Sequence, residues 1–252
     1  MVAHWHRSKT WWTVAIVLGL AVAGAAASSW PPFLPPPEDF PSDVVRDVER
    51  VWRDPTLSRT VKGPRARVPF ELYTAFVDMP DVTAAAARHL KLADYRVKRL
   101  DDNTYEADDR AGAHGRYRVL VRTPNRRVIL SWGRHTGRFL GSIGGSALTV
   151  LDLTEANGGV DQQLTAYVLI DNAVAAHLAR VLIPVFGGLA DRKLAEGFAV
   201  TAQVAEWAVD RPSEFEAWIA QQALPRERRH VVLRALHSDG TMASPSLTPP
   251  RR

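Results

Sequence analysis

Cysteine is absent from all 252 residues. That excludes disulfides, thiol nucleophiles, cysteine zinc sites and a cysteine-linked lipid anchor, and it leaves the redox compartment open. The eight histidines contain no HExxH pattern, so a histidine metal site lacks its spacing too. A calcium loop is also missing. Asp101, Asp102, Glu106, Asp108 and Asp109 lack the spaced ligands, the glycine and the terminal Glu of such a loop. With Arg96, Lys98, Arg99 and Arg110 nearby, they read as a solvated charged hairpin. Ser131 and Ser146 stand in strand-like runs without a nucleophile elbow. Gly141 to Ser146 has no following Lys and enters a strand, so it is not a phosphate loop. Neither a cofactor nor a metal is expected, and no residue is assigned as catalytic. Lysine is scarce beside arginine, and a net charge of +5 is too mild to indicate nucleic acid.

What the chain does have is one long apolar run, Trp11 to Ala27, preceded by Arg7 and Lys9 and followed by no charge until Glu38. This polarity places the N-terminus in the cytoplasm and the rest outside. Two readings compete. Ala25-Ala26-Ala27 before Ser28 fits the cleavage site of a signal peptide. The tryptophans at both ends, Trp11 and Trp12 against Trp30, fit the interfacial belt of a retained transmembrane helix. Retention puts the domain on an inner membrane, facing the periplasm or cell exterior; cleavage after Ala27 secretes it. Six prolines from Pro31 to Pro41 then read as an extended spacer. Ser42 or Asp43 caps a short helix through Val44, Val48, Val51 and Trp52, expected to lie on the main domain.

Residues 65–77 alternate and are rich in aromatic residues, which predicts a strand beginning near an edge at Pro69. An Ala-rich helix follows to Leu90. Six strand-like runs come next: Tyr95–Leu100, Thr104–Asp109, Gly115–Thr123, Arg126–Thr136, Ile143–Thr154 and Val160–Asp171. Short turn-forming breaks such as Asn157-Gly158-Gly159 make neighbouring strands antiparallel. Arg116, Arg118 and Arg122 fall on one side of their strand, and Tyr117, Val119 and Val121 on the other. A helix capped by Asn172, a break at Pro184 to Gly188, and a long amphipathic helix from Leu189 to Asp210 follow. The inner face of that helix, with Ala190, Leu194, Gly197, Phe198 and Thr201, is small, which permits either close packing on the sheet or a cavity.

Strand, helix, six antiparallel strands and a long last helix resemble the helix-grip fold of the START-related, polyketide cyclase-like superfamily (SRPBCC). The landmarks are the glycine-punctuated strand from Ile143 to Val150, Pro184, and Trp207 and Trp218 near the end of the long helix. The resemblance implies an α+β fold, a seven-stranded curved antiparallel sheet wrapped on the C-terminal helix, with an apolar tunnel between them. Here a transmembrane helix would precede it. The expected divisions are a membrane segment at 1–30, a Pro-rich linker with a short helix at 31–64, a helix-grip domain at 65–222 and a basic, partly disordered tail at 223–252. The second short helix of the family is weak in this sequence, since only Thr83 to Leu90 reads clearly.

Members of that superfamily mostly bind lipids or polycyclic molecules, and a minority are enzymes. Tyr105, Tyr117, Val119, Trp132, Tyr167, Leu194, Phe198 and Thr201 are the candidate lining residues. Rings with a polar tip suit an apolar wall that orients one polar group. The implied partners are a lipid or polycyclic hydrophobic molecule and a membrane reached through the N-terminal helix. Two alternatives stay open: an envelope interaction protein whose pocket is filled, and a cyclase- or dehydratase-like enzyme. The second needs an acid/base pair inside the pocket, and the assigned inward positions hold none.

Overall fold

The computed structural model describes residues 30–137, 141–171 and 197–238. The apolar run, the segment from Asn172 to Pro184, the start of the long helix with Leu194, and the tail beyond Ser238 all lie outside these residues. Among the described residues, no helix is long and apolar enough to cross a membrane.

A single antiparallel sheet organises the chain. Its strands are β1 (Leu57–Lys62), β2 (Arg96–Arg99), β3 (Thr104–Asp108), β4 (Ala113–Thr123), β5 (Arg126–Gly137), β6 (Gly141–Ala156) and β7 (Gly159–Ile170). They lie in the order β1-β7-β6-β5-β4-β3-β2. All six strand-like runs read from sequence are strands, within a few residues. The tight β6–β7 turn has positive φ at both Asn157 and Gly158, the backbone that two-residue hairpins demand.

The first strand needs correction. The stretch 65–77 does not form one; β1 lies upstream, inside the expected linker, and pairs with β7 through Leu57↔Val168 to Lys62↔Gln163. Residues 70–78 fold instead as α2 (Phe70–Asp78), entered through Pro69. Leu72, Tyr73, Ala75 and Phe76 are its buried residues. That i, i+1, i+3, i+4 spacing is helical, and it outweighs the β-prone Tyr73, Thr74 and Val77. α3 (Pro80–His89) follows with proline at its first position. Both short helices of the resemblance are therefore present.

Each face of the sheet is covered. On one lie α2, α3, the described part of the long helix (α4, 197–210), α5 (Pro212–Ala220) and α6 (Arg226–His237). Their core gathers Val61, Leu151, Leu153 and Val160 with Phe76, Val204, Phe215 and Val232. α6 belongs to this core and not to a loose tail: Val232 is fully buried, and Arg228 makes a paired contact to Asp81 at 2.6 and 2.7 Å.

α1 (Ser42–Arg53) covers the other face, burying Val44, Val48 and Val51 against Val128, Leu130, Leu148 and Val150. Its N-cap is Pro41, with no capping side chain, so neither Ser42 nor Asp43 plays that part. The Pro-rich stretch is no free spacer. Leu34 is buried beside α1, Trp30 lies 5.8 Å from Phe40, and its indole donates to the Pro35 carbonyl at 2.7 Å. Nor is it extended: the chain turns between Pro31 and Leu34 and forms a short 3-10 helix at Pro37–Asp39, and the aromatic residues among the prolines give it an apolar side to bury.

Candidate ligand-binding trough

The site lies on the sheet face that carries α2–α6, and its shape follows from register. One cross-strand row reads Ala107, Gly115, Gly133, Gly145, Ile170. The next reads Tyr105, Tyr117, Ser131, Ala147, Val168. Three glycines side by side leave the sheet without side chains there, and Ser131 and Ala147 add little bulk. An outer cavity of about 440 Å³ lies over these rows, bordered also by His114, His135 and Ile143. An inner cavity of about 300 Å³ adjoins it, lined by Val77, Asp78, Pro80, Tyr105, Val119, Arg122, Arg127, Ile129 and Thr149. Tyr117 and Ser131 line both. Gly133 and Arg127 mark the two ends on β5, six residues and about 20 Å apart.

The glycines serve strand packing as well. A Cβ at Gly115, Gly133 or Gly145 would lie 2.5, 2.7 or 2.8 Å from a main-chain oxygen of the neighbouring strand. Main chain cannot yield as a side chain does. Gly133→Ala is therefore expected to cost about 1–3 kcal/mol, the usual range for overpacking, read as a lower midpoint in urea unfolding. An unchanged midpoint would mean that the row is not tightly set.

Tyr105 and Tyr117 stack at 5.1 Å, and burial pushes both phenols up from their ordinary range. The Tyr105 hydroxyl points at the Asp78 carbonyl, 3.4 Å away. Tyr117 has no hydrogen-bond partner for its hydroxyl among the described residues. It is a neutral phenol able to donate and accept.

At the inner end Asp78, the last residue of α2, faces two arginines. Arg127, only 4% exposed, reaches it through Nε at 2.7 Å and Nη2 at 2.8 Å. Arg127 Nη1 donates to the carbonyls of Thr123 and Arg126. Arg122 adds a third contact to Asp78, Nε to Oδ1 at 3.0 Å. A β-bulge explains how Arg122 arrives there. Register slips between Val119 and Val121, so alternation reverses after Leu120. Arg122 turns to the cavity face, and Val121 joins the α1 core. The expectation that Arg122 sits with Arg116 and Arg118, and Val121 with Tyr117, is corrected accordingly.

Of the candidate lining residues, Tyr105, Tyr117 and Val119 come together at the trough. Trp132 is among the residues lining the outer cavity, yet register pairs it with Arg116 and Ser146 and so places its side chain on the α1 face, 38% exposed. Tyr167 is also on that face, packed 6.0 Å from Phe33 and 4.9 Å from Trp52. Both are one residue out of phase with the trough. Phe198 is buried in the helix core, where a Cβ on Gly63 would meet its Cβ at 2.9 Å. Thr201 is half-buried on α4 and lines neither cavity. Leu194 lies outside the described residues. Sequence reasoning missed Asp78, Arg122, Arg127 and the glycine row. Arg127 offered a signal: it directly precedes the apolar run Val128–Leu130 and alternates onto the face of Ile129 and Ser131. Among the described residues, no group of three His, Asp or Glu is placed to hold a metal ion.

An α+β chain with this antiparallel sheet, two short helices after the first strand and helices closing one face agrees with the helix-grip architecture. No family model matches the chain, and no curated protein does. Solved structures do. A conserved protein from Geobacillus kaustophilus is 20% identical, over 60% of this chain and 93% of its own, with a TM-score of 0.42. Ara h 8.0201 is 11% identical, over 60% and 99%, with a TM-score of 0.37. The di-domain ARO/CYC BexL from the BE-7585A biosynthetic pathway is 15% identical, over 65% and 53%, with a TM-score of 0.39.

Proposed function

We propose that this chain binds an apolar small molecule, a lipid or a polycyclic compound, in the trough. It acts as a binding or transfer module, held at a bacterial envelope membrane by its N-terminal segment. The observation that carries the reading is Tyr117: a half-buried phenol lining both cavities, its hydroxyl without a hydrogen-bond partner among the described residues, over a floor of glycine and small residues. Such a wall takes up an apolar body and orients one polar atom. Each buried CH₂ contributes about 0.8 kcal/mol.

The two carboxylates along the trough favour binding over acid/base chemistry. Asp78 is held by two arginines, and Asp109 accepts the main-chain N–H groups of Ala111 and Ala113. The volume left open among the described residues weighs against a pocket filled by its own side chains. The tether reading rests on Trp11 to Ala27 and the charges before it.

The test is Ala147→Phe. Ala147 lines the outer cavity at half burial, so an added ring has empty space to enter. The full chain is expected to bind the neutral probe N-phenyl-1-naphthylamine saturably. The variant is expected to lose that binding about tenfold or more, with its melting temperature unchanged or raised. A fall in melting temperature with no effect on binding would mean that Ala147 is ordinary core.

A further inference from the structure

We infer that the ligand is a single amphiphile with one negatively charged end, received by Arg122 at the inner limit of the trough; this rests on the binding reading above. The charges on the cavity face are one-sided. Register assigns Arg59, Arg99, Arg122 and Arg127 to that face of the strands, and Glu155 is the one acid the strands place there. Arg99 is met by Asp102 within its own hairpin. At the inner end the nearby ion pairs join Arg122, Arg127 and Arg228 to Asp78 and Asp81, which leaves one positive charge in excess among the described residues.

Hydrogen-bond capacity locates the excess. Arg127 spends its donors on Asp78 and two carbonyls, and it is buried. Arg228 is engaged by both oxygens of Asp81. Arg122 gives Nε to Asp78 and Nη1 to Asn103 Oδ1 at 3.2 Å. A guanidinium has five N–H donors, so three on Arg122 remain. Its side chain is 36% exposed and lines the inner cavity, so an incoming group can reach it. The bulge at Leu120 is what aims it inward.

A wholly apolar ligand would desolvate this cation while it shares its one counter-charge, Asp78, with Arg127, which is costly. A carboxylate or phosphate monoester at the end of an apolar chain supplies that charge and makes charge-assisted hydrogen bonds. The chain would then lie over Ile129, Thr149 and Ser131, past the Tyr117 hydroxyl and onto the glycine row.

The test uses the full chain in nanodiscs of neutral phosphatidylcholine, with empty nanodiscs as the blank. Equilibrium dialysis at neutral pH compares decanoic acid, decyl phosphate and decanol, with N-phenyl-1-naphthylamine as the uncharged probe. At least one anionic amphiphile is expected to bind about tenfold or more tighter than decanol. Whichever anion binds better tells a fatty-acid source from a phosphate source. Arg122→Gln is expected to weaken the better-bound anion about tenfold, to the level of decanol, while Arg122→Lys keeps part of the preference. Equal binding of acid, phosphate and alcohol in the unaltered chain would overturn the inference and leave the binding reading standing. If neither the amphiphiles nor the probe bind saturably, the binding reading fails instead.

Discussion

Asp78→Ala is expected to cost about 3–5 kcal/mol of stability, because it strands a buried guanidinium. Arg127 is 4% exposed, and Asp78 is the one anion that its Nε and Nη2 meet. Its remaining contacts are to the carbonyls of Thr123 and Arg126, which hydrogen-bond but do not neutralise. Asp78 keeps 28% of its side chain exposed, so water reaches part of the vacated site and the lower end of that range is the better guide. For a chain of this size that corresponds to a fall of roughly 10 °C in melting temperature. The pair need not stabilise the fold relative to apolar residues of equal volume, so Asp78→Ala with Arg127→Met should recover much of the loss. Recovery would show that the cost comes from an unpaired charge and not from the missing carboxylate. Asp78→Ala melting within about 1 °C of the unaltered chain would mean that Arg127 finds water or another acceptor.

The ion cluster also marks the boundary between what local sequence carries and what it does not. The hairpin from β4 to β7 is written locally: alternating residues, then Asn157-Gly158 or Thr123-Pro124-Asn125 at the turns. Its strand ends and turns were legible for that reason. Leu120 interrupts the alternation with no residue-level sign, and the face of Arg122 depends on it. The glycine row is invisible along the chain, because Gly115, Gly133 and Gly145 become neighbours only once two registers are set. The same shift of one residue decides Trp132 and Tyr167. Each is a plausible lining residue by type, and each leaves the sheet on the wrong side. β1 was illegible for another reason. It pairs with residues about a hundred positions later, and its inward set of Leu57, Arg59 and Val61 carries a charge in the middle. Tyr105, Tyr117 and Val119 were found because their strands alternate cleanly up to the bulge.

The second large effect is expected at Val48, on the opposite side of the sheet. Val48→Asp should destabilise the chain by about 4 kcal/mol or more, adding the lost burial of a valine to the burial of a carboxylate without a partner. Val48 is fully buried between Val44 and Val51, over Leu130 and Leu148. Those two leucines are cross-strand partners, and they stand back to back with the rows that form the trough floor. If α1 is part of the folded unit, the melting temperature falls by roughly 10 °C or more and residues 30–56 become cleavable under limited proteolysis. If α1 is only a docked linker, cleavage appears there with little change in melting. The distinction bears on the proposed tether. Trp30, at the end of the membrane-like run, is bonded to Pro35 and packed on Phe40 within the α1 cover. A docked cover gives the anchor no free Pro-rich string. Under the proposed tether it would hold the α1 face toward the point of attachment, and a ligand leaving the bilayer would have to pass round the sheet to reach the trough. Val48→Asp frees that constraint, and cleavage at 30–56 in the variant but not in the unaltered chain shows that the constraint was there.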